Sequence, residues 1–277
     1  MPRPFFRILA LGVLANVTAL STALPVLAQQ PLRILVLKEH GVGSPTLAQP
    51  YLDRFVATAA LQNEWRDAKG QYYVTRAAAE EFIAAQKPHY GILSLAAFLG
   101  LRAKYNLEVI GQVAVSLVGG QQYHLLSKTA SDLAGCKGKK LASDHVDDPR
   151  FIENVVARGA FTLKDFTVEQ TRRPLQTIKA VLAGEADCAL VDDAQFDELP
   201  KIDGAGDLRS VWKSEKLPPM VVVAFPEAPT AERKRFQENF GRVCDADTKP
   251  ACAEVGIHSL LPASGAEYAA VISAYGN

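Results

Sequence analysis

Short apolar runs alternate with helix-period segments along most of the chain. Such runs, bounded by polar residues or glycine, are typical of buried strands, and the segments between them place their apolar residues on one helical face. Strands are predicted at 32–37, 72–75, 90–93, 107–112, 114–118, 141–142, 188–191 and 220–224. Helices are predicted at 50–62, 76–86, 95–104, 149–158 and 174–183, and after Thr230 and Ser264. This alternation indicates an α/β fold built on parallel strands.

Two stretches repeat the same local order about 100 residues apart. In each, a helix and a short turn lead to an apolar strand, and a polar residue, Ser94 or Asp192, then begins the next helix. Asp148 before Pro149 predicts another helix start, and Gly159 and Gly184 predict helix ends. The repetition favours two similar lobes.

The first residues have the pattern of a signal peptide. Arg3 and Arg7 precede a largely apolar stretch at 8–20, and small residues at 26–28 fit a cleavage site. We therefore expect a signal peptide at 1–28, a mature chain starting near Gln29, and export to the periplasm without stable membrane insertion. A membrane anchor is the alternative, but polar residues interrupt the apolar stretch and no cysteine near the cleavage site offers a lipid attachment point.

Two crossovers divide the mature chain. Gly119 and Gly120 predict the first, and the segment Leu217 to Pro219 predicts the return. Lobe one is therefore expected at 29–119 and 217–277, and lobe two at 120–216.

The four cysteines, Cys136, Cys188, Cys244 and Cys252, are expected to be paired in an exported protein. Three connectivities are possible. A local bridge between Cys244 and Cys252 around a polar turn is the simplest, and it leaves Cys136 to pair with Cys188. A metal site is the alternative, but neither a Cys-x-x-Cys motif nor a nearby histidine pair supports it.

Composition narrows the classes of function. The chain has 30 basic and 30 acidic residues, so it lacks the basic excess that nucleic acid binding requires. The sequence has no Gly-x-Ser-x-Gly, no His-Glu-x-x-His and no glycine-rich phosphate loop with its lysine. We therefore expect a protein that is not an enzyme and needs no cofactor, with an exported enzyme as a distant alternative.

Candidate ligand-binding residues follow from the predicted sheets, because ligands of open parallel sheets bind beyond the carboxyl ends of strands, near helix N-termini. Those expected from lobe one are His40, Ser44, Thr75, Arg76 and Ser94, and those from lobe two are Ser143, His145, Arg172, Arg173 and Asp192. Most of them have a structural alternative. For Thr75, Ser94 and Asp192 the alternative is a helix cap, and for the arginines and histidines it is a solvated surface position.

Three segments carry a family resemblance. Asp-Leu-Ala-Gly-Cys-Lys-Gly-Lys-Lys at 132–140, Ile-Lys-Ala-Val-Leu-Ala-Gly-Glu-Ala-Asp-Cys-Ala-Leu-Val-Asp at 178–192 and Leu-Arg-Ser-Val-Trp-Lys-Ser at 208–214 resemble the second lobe of the phosphate, phosphite and phosphonate-binding proteins that serve ABC importers. The resemblance implies a two-lobed type II periplasmic binding protein. In that fold each lobe is a mostly parallel sheet flanked by helices, and the ligand lies between the lobes. It also implies a monomer that works with an ABC permease.

The resemblance is weaker at the ligand. Typical members have a run of small Ser, Thr and Gly residues where this chain has three carboxylates, in Ser143-Asp144-His145-Val146-Asp147-Asp148. A typical Gly-Ser-His is replaced by Arg172-Arg173-Pro174, whereas Asp192 matches an acid that the resemblance associates with a ligand's amino group. We therefore expect a solute-binding protein with a small polar ligand, for which a phosphonate or phosphate is one candidate. The alternative is an orphan or sensory binding protein with a different ligand.

Overall fold

A computed structural model describes Met1 and residues 31–40, 45–115, 119–245 and 247–276. The predicted signal peptide, apart from Met1, lies outside these residues. The strands are β1 (Leu32–Leu37), β2 (Ala68–Tyr73), β3 (Tyr90–Leu93), β4 (Glu108–Val115), β5 (Tyr123–Ser127), β6 (Lys140–Ser143), β7 (Thr167–Gln170), β8 (Cys188–Asp192), β9 (Arg209–Lys213), β10 (Val221–Ala224) and β11 (Ile257–Pro262). The α-helices are α1 (Pro45–Gln62), α2 (Arg76–Gln86), α3 (Leu95–Tyr105), α4 (Leu133–Cys136), α5 (Pro174–Leu182), α6 (Asp193–Asp197), α7 (Thr230–Val243), α8 (Lys249–Glu254) and α9 (Ala269–Tyr275).

The strands form two mixed sheets. The six-stranded sheet has the order β11-β4-β10-β3-β1-β2, with β1 parallel to β2 and β3 and with β10 antiparallel between β3 and β4. The five-stranded sheet has the order β7-β6-β8-β5-β9, with β6 parallel to β7 and β8. Helices flank both sheets, which confirms the expected two-sheet α/β architecture. The expectation of mostly parallel sheets is wrong, because β10 and β11 pair antiparallel in the first sheet and β5 pairs antiparallel with β8 and β9 in the second.

Alternation along the strands directs apolar side chains to both faces of each sheet, because successive strand residues point to opposite sides. In β10, Val222 and Ala224 pack with α1 and α7, whereas Val221 and Val223 pack with α2, α3 and α9. In the five-stranded sheet the second face packs against Ile178 and Val181 of α5. Both faces of both sheets are therefore covered.

One apolar cluster is shared by the two sheets. It contains Leu37 of β1 and Phe98 of α3 together with Leu141 of β6 and Leu190 of β8. The C-terminal helix α9 contributes Val271 and Tyr275 to this cluster, and it contacts the π-helix Phe151–Val156 that follows β6. The two sheets thus pack against a common core.

The two chain segments that connect the sheets lie side by side. Leu217 N donates to Gln121 O at 2.7 Å, and Ser214 N donates to Tyr123 O at 2.9 Å. The Gln122 side chain adds a hydrogen bond to Ser214 O. A paired connection of this kind is suited to act as a hinge.

Two disulfides are present. Cys136 at the end of α4 is bonded to Cys188 of β8, and Cys244 after α7 is bonded to Cys252 of α8. This is the pairing that the local-bridge argument favoured. The first bridge lies within the five-stranded sheet region, and the second closes a short loop between two helices.

The predicted element boundaries need four corrections. Helix α1 begins at Pro45, not at residue 50, and proline is well suited to a first helical position. Strand β2 starts earlier than predicted, at Ala68, where it pairs with β1. Residues 108–115 form one strand where two were predicted, and residues 116–118 of the second lie outside the described residues. The helix predicted at 149–158 is largely a π-helix.

No helix among the described ranges is both long and apolar enough to cross a membrane.

Candidate functional site

The carboxyl ends of strands from the two sheets meet, and the region where they meet is called the cleft below. Glu39 and His40 follow β1, and Arg76 follows β2, whereas Asp147 and Asp148 follow β6. Arg76 Nη1 lies 2.9 Å from Asp148 Oδ2, and His40 Nε2 lies 3.3 Å from Asp147 Oδ1. The segments that sequence reasoning assigned to opposite lobes are therefore in direct contact.

Arg76 is the centre of a polar network in this cleft. Its Nε and Nη2 donate to the two carboxylate oxygens of Glu39 at 2.8 and 3.0 Å, and Nη2 also donates to Ala96 O at 3.2 Å. The Glu39 side chain is only 6% exposed. Burial lowers the pKa of Arg76, but the hydrogen bonds and charges of Glu39 and Asp148 outweigh it and raise that pKa. Arg76 is permanently charged, and its own partners accept four hydrogen bonds from its guanidinium.

Two histidines lie beside this network, with ring centroids 4.5 Å apart. Burial lowers the pKa of His40, but the hydrogen bond and charge of Asp147 outweigh it, so that pKa is raised. Burial lowers the pKa of His145, which is almost fully buried. His145 Nε2 has no hydrogen-bond partner and lies 3.8 Å from Asp144 Oδ1, too far for a hydrogen bond. The pKa values of the two imidazoles are therefore shifted in opposite directions.

His40 also has an unusual backbone. Its φ is +59°, in the left-handed region that non-glycine residues rarely occupy. Such conformations cost about 1–3 kcal/mol and tend to occur at functional sites. The conformation accompanies the contacts of the imidazole with Asp147 and His145.

The part of the cleft from the five-stranded sheet is rich in carboxylates. Asp144 accepts hydrogen bonds from Thr177 Oγ1 and Gln195 Nε2, and Asp192 caps α6 by accepting from Gln195 N. Burial, followed by the charge of Asp192, raises the pKa of Asp193 to about 6. In the described part of the chain, no lysine or arginine forms an ion pair with Asp144, Asp192 or Asp193.

Several of these acids influence the pKa of the same group, the hydroxyl of Tyr123 at the start of β5. Burial and then the charges of Asp192, Asp193, Asp144 and Glu39 raise the pKa of Tyr123 well above its ordinary value. With Asp147 and Asp148, six carboxylates face this region, against one arginine and His40. The cleft is therefore electronegative.

The predicted binding residues differ in how they are placed. Arg76, His40, His145 and Asp192 lie at or beside the cleft, as described above. Ser94 begins α3 without capping it, and its hydroxyl is buried without a partner. The Ser143 hydroxyl is used within its own sheet, since it donates to Leu190 O and accepts from His145 N.

The remaining predicted residues are more peripheral. Thr75 is exposed and makes no side-chain cap, and Arg172 and Arg173 are exposed at the start of α5. Ser44 lies outside the described residues.

Sequence reasoning missed four residues of the Arg76 network. Glu39 and Asp148 hold the guanidinium, Tyr275 donates to Asp148, and Gly100 of α3 makes room for the Arg76 side chain. A carboxylate directly after a buried strand was the available signal for Glu39. Nothing local marks Tyr275, which reaches the cleft through packing of α9.

A bound metal is not supported by side-chain geometry. Across the described ranges, no group of three or more His, Cys, Asp or Glu side chains is arranged to bind a metal ion.

A family model described as ABC transporter, phosphonate, periplasmic substrate-binding protein matches residues 59–268, more than half of the chain. The protein belongs to this family. Its members are the periplasmic substrate-binding components of ABC importers, and the work of this protein is accordingly to bind a small ligand for such a transporter. None of the curated proteins matches the chain in a sequence comparison.

Solved structures share the fold of the family. A binding protein component of an ABC phosphonate transporter from Pseudomonas aeruginosa has a TM-score of 0.61 at 14% identity, over 86% of this chain and 83% of that one. A Prochlorococcus marinus protein in complex with methylphosphonate has a TM-score of 0.64 at 11% identity, over 87% and 96%. A Xanthomonas citri protein bound to ATP has a TM-score of 0.69 at 10% identity, over 89% and 96%. At these identities the likeness establishes the fold alone.

Proposed function

We propose that the protein is a two-lobed clamp that captures a small polar solute and presents it to an ABC permease. Lobe one comprises 29–119 and 217–277, lobe two comprises 120–216, and residues 1–28 are a signal peptide that directs export to the periplasm. The mature chain works as a monomer. It catalyses no reaction and needs no cofactor.

The contact between the carboxyl ends of β1 and β2 and the carboxyl end of β6 carries this proposal. Open sheets bind ligands at that edge, and here the edges of two sheets face each other across a paired connection. His40, Arg76 and Ser94 line the cleft from one side. Ser143, His145 and Asp192 line it from the other.

The charge of the ligand is a separate question. The family and the methylphosphonate complex of the Prochlorococcus neighbour favour a phosphonate. The carboxylates of this cleft favour a second candidate, a ligand with an ammonium group, because Asp192 and Asp193 have no cationic partner among the described side chains. An anion approaching these acids would be repelled unless protonation or rearrangement removed their charge.

A thermal-shift panel tests the function and the ligand class together. The mature, oxidised protein is screened against phosphate, phosphite, methylphosphonate, 2-aminoethylphosphonate, a sulfonate and ethanolamine. A ligand at 100 times its Kd stabilises the native state by about 2.7 kcal/mol. For a chain of this size that corresponds to a rise in Tm of roughly 5–11 °C. A response to methylphosphonate supports the family ligand, a response limited to amine-bearing compounds supports the second candidate, and no response to any of them contradicts the proposed clamp.

The site is tested with Asp192→Asn, which keeps a side chain that can cap α6. We expect this variant to fold normally and to bind an amine-bearing ligand at least tenfold more weakly. Asp197→Asn, at an exposed position of the same helix, is the matched control and should bind as the wild type does. Equal affinity of the two variants would exclude Asp192 from the site.

A further inference from the structure

The Arg76 guanidinium is bound by groups from both sides of the cleft. Glu39 and the Ala96 carbonyl belong to the side of the six-stranded sheet, and Asp148 belongs to the side of the five-stranded sheet. Four N–H···O contacts between 2.8 and 3.2 Å satisfy most of the five donors of the guanidinium. Little capacity remains for a solute anion.

Space for this guanidinium is provided by Gly100. A Cβ at this position would lie 2.3 Å from Arg76 Nη1 and 2.7 Å from its Cζ. Gly100 lies inside α3, where glycine is about 1 kcal/mol less favourable than alanine. The chain therefore keeps a helix-destabilising residue at a point of α3 against which the guanidinium packs.

Asp148 is held in place by contacts that do not involve Arg76. Its Oδ1 accepts from Phe151 N at the start of the π-helix, and its Oδ2 accepts from the Tyr275 hydroxyl at 3.1 Å. The Tyr275 ring in turn lies under the Arg150 guanidinium, 5.0 Å from the ring centroid. Phe151 lies on the same side of the cleft as Asp148, whereas Tyr275 belongs to α9 and so to the side of Arg76 in the lobe bounds proposed above. The Tyr275 hydroxyl therefore adds a further hydrogen bond across the cleft.

A second charged contact crosses the cleft nearby. His40 and Asp147 lie 3.3 Å apart, and each shifts the pKa of the other in the direction that favours an ion pair. These contacts across the cleft are all made by side chains of the protein itself. Closure therefore has partners that do not depend on a solute.

We propose that Arg76 is an internal counter-ion that latches the two sides of the cleft together in the absence of solute, in place of serving as an anion-binding residue. Opening requires separation of Arg76 from Asp148, whereas the bidentate pair with Glu39 stays within one side. The proposal rests on the clamp function proposed above. It differs from a simple clamp because the empty protein is predominantly closed.

Small-angle X-ray scattering of the mature protein without any added solute tests this latch. We expect the wild type to match the scattering calculated from the closed coordinates, with a radius of gyration near the ~18 Å of a compact chain of this length. Asp148→Asn keeps a side chain that can accept from Phe151 N but loses the charge that holds Arg76. We expect it to show a larger radius of gyration and maximum dimension.

The matched control is Glu80→Gln, which removes the exposed ion pair with Lys104 on the same side of the cleft. It should scatter as the wild type does. Tyr275→Phe removes one hydrogen-bond donor to Asp148 but no charge, so we expect an intermediate expansion. If circular dichroism shows that Asp148→Asn does not fold, Tyr275→Phe replaces it as the test variant. A wild type that is already expanded, or an Asp148→Asn variant as compact as the wild type, would overturn the proposal. The scattering experiment contains no solute, so it tests the latch independently of solute binding, which only the thermal-shift panel tests.

Discussion

Removal of the Cys136–Cys188 bridge should destabilise the protein more than removal of Cys244–Cys252. The first closes a loop with a sequence separation of 52 residues, and the second a loop with a separation of 8. In the chain-entropy model these loops contribute about 4 and about 2.5 kcal/mol to the free energy of unfolding. At 2–4 °C per kcal/mol, Tm should fall by roughly 8–16 °C for Cys136→Ala with Cys188→Ala, and by roughly 5–10 °C for Cys244→Ala with Cys252→Ala.

The comparison is made by urea unfolding and by calorimetry on the two double variants. Each variant removes two sulfur atoms, so the difference between them, about 1.5 kcal/mol, reports mainly on loop length. Wild type unfolded with a reductant provides a control in which side-chain volume is retained. An equal loss of stability in the two double variants, or a larger loss when Cys244–Cys252 is removed, would contradict the explanation that the bridges act by restricting the unfolded chain.

Two further predictions concern single positions. Gly100→Ala should destabilise the protein by about 1–3 kcal/mol through overpacking against Arg76, whereas Gly241→Ala in α7, where a Cβ meets nothing within 4 Å, should stabilise it by up to about 1 kcal/mol. Urea unfolding measures both, and a stabilising Gly100→Ala would contradict the described packing. Burial raises the pKa of Asp193 from 3.8 to about 6, so the folded protein takes up this proton before the unfolded chain does, and stability is gained as pH falls from about 6 to about 4. Asp193→Asn should therefore raise Tm at pH 7 and have little effect at pH 4; the same change at both pH values would contradict this.

The two-sheet architecture could be predicted from the sequence because it depends on the central strands. The runs in β1, β3, β8 and β10 are almost purely apolar and are bounded by polar residues or turns, so few other structures are compatible with them. Element ends were less certain. Two strands were predicted at 107–112 and 114–118, whereas residues 108–115 form one continuous strand. Gly111 within this strand leaves room for the Phe240 ring.

The cleft was only partly predictable. Strand ends identified Arg76, His40, His145 and Asp192, because their position depends on local order alone. The partners of Arg76 depend on distant contacts, since Asp148 is 72 residues away and Tyr275 lies on the last helix. A pattern of residues along the chain contains no signal for such pairs. The interpretation of Arg76 as a ligand-binding residue stays a prediction, and the structure adds the carboxylates of Glu39 and Asp148 as its partners.

The position of β10 has a consequence for how the chain acquires its structure during synthesis and export. In the six-stranded sheet β10 lies between β3 and β4, although it follows them by more than 100 residues. Until residue 224 is available, β3 and β4 each have an unpaired edge, and such edges invite aggregation. The five-stranded sheet has all its strands between residues 123 and 213 and can be completed earlier. The last third of the chain therefore determines when the first third becomes stable.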